Sequence, residues 1–441
     1  MFGTSGIRGI VGKEIDCHLM QKVGQAFGKQ SSSFLLARDT RNTSLLLLHA
    51  FASGLMQCGV NVVDMGICPT PALAFATKKF STRGAVITAS HNPPQYNGVK
   101  LFDHGIEIPP KIERRLEKKI SKNLLPTVSW NMAGSIIYDD SILQQYKHFL
   151  LSKINRVAIL KRKPKVAIDC ANGAASNIIH DILNDVGIRA VFSNCSTSLP
   201  LVQNPEPTQE NLRHFSDLIK NERADIGIAL DPDADRAVIF DNRGRMLGLD
   251  RQLAIMCSYL LSKNRVKKIV TTVEASLIVK ETIERHNGKL YITPVGSGNV
   301  ARELIKRKAL FGGEPCGEYV FSNSTPTADG LLSCLKFLEL ISVSPSLISD
   351  SAFFPSTFII RKKYPCQNKK SSVEKIIKKI KVPGKISLID GLRIDFDDGW
   401  ILIRSSGTED AIRLTIECKT EKKARKLQKE LEETIFQYTI I

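Results

Sequence analysis

The sequence predicts an α/β protein with mostly parallel sheets, followed by a smaller α+β domain at its C-terminal end. Short apolar runs that suit buried strands alternate with amphipathic segments that suit helices from about residue 33 to residue 341. After about residue 344, short strand-like runs surround one lysine-rich helix instead. The length of 441 residues predicts about three domains of ordinary size. The change in pattern places boundaries near residues 148, 249 and 350, which gives segments 1–148, 149–249, 250–350 and 351–441.

The expected elements follow this alternation along the chain. The first segment should hold strands at 33–37, 60–65 and 85–87, and helices at 44–56, 111–122 and 139–151. In the second, strands at 165–169, 190–193, 226–230 and 237–240 accompany a helix at 178–186. The last should hold strands at 357–360, 399–403 and 412–417, and a closing helix at 421–436.

Composition indicates a globular cytoplasmic protein. Hydrophobic residues make up 43% of the chain and charged residues 24%, both ordinary values. No apolar run approaches the ~20 residues needed to cross a bilayer, and residues 1–9 lack the apolar core of a signal peptide. The ten cysteines are scattered without a C-x-x-C pair, which favours reduced thiols. Cys170 and Cys418 lie in apolar runs and are expected to be core residues.

The net charge of +18 suits a partner that is anionic. Nucleic acid, a membrane surface and small phosphorylated ligands all belong to that class. Lysines between residues 375 and 385 recur at helical spacing around Ile376, Ile377 and Ile380, so we expect a solvated helix face there. Because no basic stretch is interleaved with aromatic residues, nucleic acid is an unfavoured partner.

Residues 87–100 hold a candidate nucleophile. The strand at 85–87 ends in turn chemistry, because Pro93 and Pro94 cannot continue a sheet and Asn97-Gly98 favours a tight turn. This should place Ser90 on a rigid loop and fold Lys100 back towards it. A hydroxyl beside an ammonium suits a nucleophile with a proton-transfer partner. A proline-rich surface turn explains this stretch equally well when it is considered alone.

A second stretch supplies candidate metal ligands at Asp231, Asp233 and Asp235. Carboxylates at alternate positions of an extended segment project to one side, and hard cations such as Mg²⁺ prefer oxygen ligands. The spacing also resembles the start of an EF-hand loop. Arg236 stands where that loop needs glycine, however, and the flanks predict strands. An acidic turn without a metal is disfavoured, because close carboxylates repel one another unless a cation offsets them.

Two further loops carry weaker signals. Glycines flank Glu314 in residues 312–317 on what should be an exposed loop, and a carboxylate there can accept hydrogen bonds from sugar hydroxyls. In residues 403–409, small residues and hydroxyls follow Arg404, which can bind an anion through two nitrogens. That composition suits a phosphate site without the P-loop pattern. A plain surface turn is at least as good an interpretation of the Glu314 loop.

Taken together, the four stretches resemble the α-D-phosphohexomutases, the family of phosphoglucomutase/phosphomannomutase and phosphoglucosamine mutase. Residues 88–93, Thr-Ala-Ser-His-Asn-Pro, match that family's phosphoserine loop, and D-x-D-x-D-R at 231–236 matches its metal loop. Residues 313–317 are similar to its sugar loop, and residues 404–409 to its phosphate loop. With the opening Gly-Thr-Ser-Gly-Ile-Arg-Gly at 3–9, the resemblance covers nearly the whole chain. This opening and the segment 204–207 look most like archaeal-type members.

The resemblance implies a fold and a mechanism. Four domains would surround a central cleft, three of them related α/β units. Ser90 would carry a phosphoryl group and, with the three aspartates, bind Mg²⁺. The phosphoryl group would pass to a hexose 1- or 6-phosphate through a bound hexose 1,6-bisphosphate. The residues implied in these roles are Lys100 as general acid or base, Arg8 and His91 around the phosphoserine, and Arg236, Glu314, Cys316, Glu318, Arg404, Ser406, Gly407 and Thr408 in substrate binding.

Four positions depart from the family pattern. Cys316 replaces a serine of the sugar loop and removes a good hydroxyl donor, while Glu318 stands where many members have histidine. Ser405 and Asp410 replace prolines beside the phosphate loop, so we expect that loop to be looser and Asp410 to add negative charge near an anion site.

Three interpretations of the activity follow. The preferred one is a phosphoglucosamine mutase; the alternative is a phosphoglucomutase/phosphomannomutase that acts on glucose or mannose phosphates. A serine-dependent sugar phosphatase is a distant third. A basic nucleic-acid-binding or scaffolding protein without catalysis is disfavoured, because Ser90, Lys100 and all three aspartates are retained. The sequence does not separate the sugars and does not predict an oligomeric state.

Overall fold

The computed structural model describes residues 1–3, 5–28, 33–263, 267–349, 357–407 and 410–439. Four sheets follow one another along these residues, three of them mixed and the last entirely antiparallel. The predicted fold class, three α/β units and a smaller α+β unit, is therefore confirmed.

The first sheet has seven strands in the order β1-β5-β4-β2-β3-β7, with β6 paired to β5. Its strands are β1 Ile7–Ile10, β2 Ser33–Arg38, β3 Asn61–Ile67, β4 Arg83–Ile87, β5 Tyr96–Asp103, β6 Ile106–Glu107 and β7 Ile136–Tyr138. The accompanying helices are α1 Cys17–Gly28, α2 Ser44–Met56, α3 Thr70–Lys79, α4 Pro110–Ser121 and α5 Ser141–Leu151. The predicted helix at 44–56 is confirmed to the residue.

The second sheet has the order β11-β10-β8-β9. Its strands are β8 Lys165–Asp169, β9 Arg189–Ser193, β10 Ile226–Leu230 and β11 Ala237–Phe240, with helices α6 Arg156–Arg162, α7 Ile179–Val186 and α8 Arg213–Asn221. The predicted strands at 165–169, 226–230 and 237–240 are confirmed. Cys170, directly after β8, is fully buried as expected.

The third sheet has the order β13-β12-β14-β15. Its strands are β12 Lys268–Thr272, β13 Lys289–Thr293, β14 Phe311–Gly313 and β15 Tyr319–Phe321. Its helices are α9 Leu249–Ser262, α10 Leu277–Arg285, α11 Ser297–Arg307, α12 Gly330–Val343 and α13 Ser346–Ser349. The boundary predicted at 350 lies in 350–356, outside the described residues.

The first three sheets contain the same four-stranded unit. In each unit the first strand pairs in parallel with both the second and the third, and the fourth folds back antiparallel to the third. One continuous apolar cluster joins the units, with Tyr146, Ile182 and Leu335 buried within it. The hairpin that links the third and fourth strands therefore occupies the same place in every unit: β4–β5, β10–β11 and β14–β15.

The last sheet has the order β16-β20-β19-β18-β17. Its strands are β16 Phe358–Pro365, β17 Lys385–Ser387, β18 Leu392–Phe396, β19 Gly399–Ser405 and β20 Ala411–Cys418, with helices α14 Lys369–Lys379 and α15 Glu421–Thr439. The prediction that lysines 375–385 share one helix is wrong in its second half. The helix ends at Lys379, and Lys385 begins β17, where Pro383 and Gly384 precede the edge strand.

Within the described ranges no helix is both long and apolar enough to cross a membrane. The same residues contain no disulfide, in agreement with the predicted reduced thiols.

Candidate active site

Three equivalent hairpins meet at one cleft of about 520 Å³. The β4–β5 hairpin carries Ser90, the β10–β11 hairpin carries the three aspartates, and the β14–β15 hairpin carries Glu314. The β19–β20 hairpin of the last sheet closes the cleft with Arg404 and Gly407. Nine of the predicted site residues line this space, namely Arg8, His91, Asp235, Arg236, Glu314, Cys316, Glu318, Arg404 and Gly407.

Ser90 lies on a strained turn directly after β4. Its φ of 50° falls in the left-handed region that non-glycine residues rarely adopt, and its backbone N–H donates to the Thr88 hydroxyl at 2.9 Å. The predicted turn at Asn97-Gly98 is wrong, because both residues lie within β5. A Cβ at Gly98 would come within 1.9 Å of the Ile7 carbonyl oxygen, so this glycine serves the close approach of β1 and β5.

The Ser90 turn is held by a buried arginine, Arg41. Its Nη2 donates to the carbonyls of Ser90 at 2.5 Å and Asn92 at 2.7 Å, and its Nη1 donates to those of Pro93 and Tyr96 at 2.7 and 3.0 Å. Since all five N–H groups of an arginine can donate, one side chain satisfies four loop carbonyls. The turn is rigid for this reason as well as for its prolines.

Asp39 in turn holds Arg41. Its carboxylate accepts from Arg41 Nε at 3.0 Å, from the Ser44 hydroxyl at 2.6 Å and from the Thr88 hydroxyl at 2.8 Å. Both side chains of the ion pair are completely buried. This network was not predicted from the sequence, where its only local sign is an Asp and an Arg two positions apart after a strand.

The Ser90 hydroxyl faces the acidic loop. Its Oγ donates to Asp231 Oδ2 at 2.9 Å and lies 3.2 Å from Nδ1 of His91. Ser90 is only 1% exposed as a residue. The Ser90 hydroxyl therefore lies between an imidazole nitrogen of His91 and a carboxylate oxygen of Asp231.

The three aspartates converge, although the segment that carries them is a turn after β10 and not extended as predicted. Ala234 at its tip has a φ of 58°. One oxygen from each of the three carboxylates lies within 4.8 Å of the other two, and all three side chains are buried. Oδ1 of Asp233 and Oδ1 of Asp235 have no hydrogen-bond partner. Buried carboxylate oxygens without partners are costly, so this donor set fits a bound hard cation.

Neighbouring groups offset part of the negative charge of the three aspartates. Nζ of Lys100 donates to Asp233 Oδ2 and to Asp235 Oδ2, both at 2.6 Å. The Thr70 hydroxyl, from the first unit, donates to Asp233 Oδ2 at 2.6 Å. Lys100 arrives by the antiparallel pairing of β5 with β4, opposite Val86, and not by a turn. It thus contacts the same triad as Ser90 from the other side.

The carboxylates differ in their protonation. Burial raises the pKa of Asp231 well above its ordinary value, and Asp235 and Asp233 raise it further. Burial and Asp233 raise the pKa of Asp235 to about 6. Burial also opposes ionisation of Asp233, but Lys100 outweighs it and the pKa of Asp233 is lowered. One more positive charge at this triad would therefore be accommodated.

The two candidate proton carriers are held in opposite states. Burial acts to lower the pKa of Lys100, but Asp233 and Asp235 outweigh it and raise that pKa well above its ordinary range. The nearby guanidinium of Arg236, together with burial and Arg8, lowers the pKa of His91 to about 2. Lys100 is thus an ammonium and His91 a neutral imidazole. Arg8 donates through Nη1 to Asn92 Oδ1 at 3.3 Å, and its buried Nε has no partner.

The sugar-loop residues are not on an exposed loop as predicted. Glu314 follows β14 in a tight hairpin and is 3% exposed; its Oε2 accepts from the Gly296 N–H at 3.0 Å. Burial and the neighbouring Glu318 raise its pKa well above the ordinary value. Glu318 is engaged elsewhere, because Arg236 donates to its Oε1 through Nε at 3.1 Å and Nη2 at 2.9 Å. Cys316 lines the cleft between the two carboxylates.

The phosphate loop borders the cleft from the side of the fourth unit. Arg404 donates from Nε and Nη2 to Glu274 Oε1, at 2.9 and 2.7 Å, so part of the predicted anion grip is taken by a carboxylate of the third unit. Ser406 is buried and its N–H donates to the Ala411 carbonyl, which leaves its backbone unavailable to an anion. Gly407 lines the cleft, and Thr408 lies outside the described residues.

Asp410 pairs with Lys369 at 3.3 Å, and both line the cleft together with Arg413. The negative charge expected from Asp410 is therefore partly offset. Glu274 and Thr70 were missed by sequence reasoning. Each reaches its partner across 130 or more residues, and nothing in their local sequence indicates the contact.

Models of one protein family match the chain in four consecutive parts. They are described as phosphoglucomutase/phosphomannomutase α/β/α domain I over residues 1–126, domain II over 144–244, domain III over 249–354 and the C-terminal domain over 362–434.

Two individual relatives and one solved structure are similar to this chain over nearly all of its length. A phosphoglucosamine mutase of Methanococcus vannielii is 38% identical over 97% of this chain and 96% of its own. A phosphoglucomutase/phosphomannomutase of Thermococcus kodakarensis is 36% identical over 96% of each chain. The crystal structure of a phosphoglucomutase/phosphomannomutase family protein from Burkholderia thailandensis has a TM-score of 0.87 at 26% identity, covering 98% of this chain and 96% of that one.

Proposed function

Because the chain belongs to the phosphoglucomutase/phosphomannomutase family, we propose that it is a phosphohexomutase that interconverts glucosamine 6-phosphate and glucosamine 1-phosphate. Ser90 carries the phosphoryl group, and a bound glucosamine 1,6-bisphosphate is the intermediate and activator. Glucose or mannose phosphates are the alternative substrates, as the relative from Thermococcus kodakarensis indicates by its name.

The observation that carries the proposal is the position of Ser90. Its hydroxyl donates to the acidic triad at 2.9 Å, on a turn whose neighbours His91 and Asn92 line a cleft shared by all four sheets. A hydroxyl fixed beside a cation site suits a phosphoryl carrier. The β19–β20 loop, which carries Arg404, suits the binding of the phosphate that is not reacting.

The residues that would hold the metal are Asp231, Asp233, Asp235 and the phosphate on Ser90. Mg²⁺ is the proposed ion, since all these donors are oxygen atoms, and when bound it would polarise the phosphoryl group. Lys100 already supplies one positive charge to the same carboxylates.

The chemistry breaks one P–O bond and forms another. The phosphoryl group leaves Ser90 Oγ and joins the free hydroxyl of the sugar monophosphate, whose proton is lost as the new bond forms. We assign the transfer of that proton to Lys100, which contacts the acidic triad, and to His91, whose Nδ1 lies 3.2 Å from Ser90 Oγ. Return of the other phosphate to Ser90 reverses these roles and releases the isomer.

Recognition must tolerate a sugar bound in two orientations. Glu314 accepts hydrogen bonds from sugar hydroxyls, while Arg404 and Gly407 border the distal phosphate, with Lys369 and Arg413 adding positive charge. Arg8, with its unpartnered Nε, is the proposed contact to the phosphate on Ser90. Cys316 and the ion-paired Glu318 shape the sugar site, and Arg236 holds Glu318 in place.

A coupled assay tests the proposal. The protein is incubated with Mg²⁺, a trace of the matching hexose 1,6-bisphosphate and each of glucosamine, N-acetylglucosamine, glucose or mannose 1-phosphate. We expect 6-phosphate as the product and the highest kcat/KM with glucosamine 1-phosphate. Release of inorganic phosphate in place of 6-phosphate would establish a phosphatase. A higher kcat/KM with glucose or mannose phosphate would assign the alternative substrate.

A further inference from the structure

We propose that Glu274 is a positioning residue that aims Arg404 at the phosphate of the bound sugar. The proposal rests on the phosphohexomutase function above and adds a residue from the third unit to the phosphate site of the last. Glu274 lies in the loop between β12 and α10, 130 residues before Arg404, and lines the same cleft.

The N–H donors of Arg404 are divided between Glu274 and the cleft. A guanidinium has five N–H groups: one on Nε and two on each Nη. Glu274 Oε1 takes the Nε donor and one Nη2 donor, and the Ser405 carbonyl accepts from Nη1 at 3.4 Å. One donor on Nη1 and one on Nη2 remain, and these two form the terminal edge that binds a phosphate through two parallel hydrogen bonds.

Glu274 is itself held in place by contacts from the last unit. Arg393 of β18 donates through Nη1 to the carbonyls of Val273 and Ala275, the two neighbours of Glu274. The Arg393 guanidinium also lies 4.0 Å from the centre of the Trp400 ring. A small apolar cluster of Val273, Leu277, Trp400 and Leu402 buries this contact. The Glu274 carboxylate therefore keeps its position relative to β19 as long as the last unit is docked.

The backbone end of Arg404 is tightly packed against Gly391. Gly391 has a φ of 75°, and a Cβ there would lie 2.8 Å from both Cα and Cβ of Arg404. Arg404 is 5% exposed, so the aliphatic part of its side chain is confined while its guanidinium reaches the cleft. Confinement at both ends lowers the rotamer entropy that phosphate binding would otherwise cost.

Charge alone argues against a carboxylate in this place. Glu274 lowers the positive potential at an anion site, and a phosphate would bind more tightly without it if orientation were unimportant. Lys369 and Arg413 line the same cleft and contribute positive charge there. The orientation and charge hypotheses thus predict opposite changes when the carboxylate is removed.

The test is steady-state kinetics on the full chain. With Glu274→Ala we expect KM for the preferred sugar 1-phosphate to rise by about tenfold while kcat changes by less than about threefold, because uniform binding is lost. Glu274→Gln keeps an oxygen that accepts from Arg404 and should recover most of that loss. The control is Glu284→Ala on the exposed face of α10, which should match the wild type.

A double-mutant cycle tests that Glu274 acts through Arg404. In an Arg404→Ala background, Glu274→Ala should raise KM no further, whereas an independent contact would add its full effect. An unchanged or lowered KM in Glu274→Ala would overturn the proposal. If that variant fails to fold by circular dichroism, Glu274→Gln decides: a tenfold higher KM there would contradict the orienting role. Absence of mutase turnover in the wild type would instead refute the proposed function.

Discussion

The two ends of the cleft are built in different ways. Around Ser90, Arg41 and Asp39 form a completely buried ion pair whose contacts lie within the first sheet. Around Arg404, the corresponding ion pair joins two units, and its carboxylate side chain is 25% exposed to the cleft. The Ser90 turn, at the reacting end, is thus held by contacts within the first unit alone, whereas the Arg404–Glu274 pair, at the anchoring end, forms only when the third and fourth units dock.

This difference suits the chemistry that we propose. The phosphoserine, the triad and Lys100 must keep their geometry through two transfers in opposite directions, and a buried network provides that. The distal site must hold and release a phosphate in each cycle, which an accessible pair can do without a large desolvation cost. The following changes separate the two ends, from the largest effect to the smallest.

Removal of the Ser90 hydroxyl should affect only the reacting end. We expect Ser90→Ala to lower mutase turnover by at least about a thousandfold, since no other group can carry the phosphoryl group. Binding of sugar phosphate, measured by calorimetry, should persist because Arg404 and Glu314 are untouched. Turnover near the wild-type rate would exclude Ser90 as the carrier.

Removal of one partner of each ion pair compares the two ends directly. Arg41→Met leaves Asp39 as an uncompensated buried charge and four carbonyls without a donor, so we expect a loss of about 3–5 kcal/mol in the free energy of unfolding. Arg404→Met leaves Glu274, whose side chain is 25% exposed, in contact with the solvent of the cleft, so its loss should be clearly smaller than that of Arg41→Met. Chemical denaturation measures both; equal losses would contradict the comparison.

Chelation of divalent ions should also act at the reacting end alone. With EDTA present, turnover should fall by at least about a hundredfold and return when Mg²⁺ is added, because the triad would hold the only polarising cation. Sugar phosphate binding should weaken much less. Full activity after exhaustive chelation would show that Lys100 offsets the triad without a metal.

A substitution at Cys316 should have the smallest effect on the kinetics. Cys316→Ser restores a hydroxyl donor between Glu314 and Glu318, and one neutral hydrogen bond contributes about 0.5–1.5 kcal/mol. We expect KM for the sugar phosphate to fall by up to about tenfold, with the Ser90 reaction unaltered. An increase in KM would indicate that the thiol suits the natural sugar better.

The reacting end was largely predictable from the sequence, because its groups follow strands within short motifs. Ser90, Lys100 and the three aspartates were predicted to share a site, and the structure brings them into contact, although Lys100 arrives by strand pairing and not by the expected turn. What could not be predicted is how the motifs meet. The shared hairpin position in three units depends on strand order, which a sequence pattern does not state.

At the anchoring end, around Arg404, the sequence predicted which residues are present but not the contacts that they make. Arg404, Ser406 and Gly407 were identified, but Ser406 turns its backbone into the sheet and Arg404 is bound by Glu274. The contacts of Arg41 and Thr70 with the site were missed for the same reason. Each depends on tertiary packing between distant segments, so local composition holds no signal for it.

The fate of a labelled phosphoryl group on Ser90 tests the central claim most directly. The protein is phosphorylated with a radiolabelled hexose 1,6-bisphosphate, freed of ligand, and mixed with unlabelled glucosamine 6-phosphate and Mg²⁺. We predict that the label leaves Ser90 and appears in glucosamine 1,6-bisphosphate and its monophosphates within one turnover. Label recovered as inorganic phosphate, or label that remains on the protein while isomer forms, would contradict the phosphoserine mechanism.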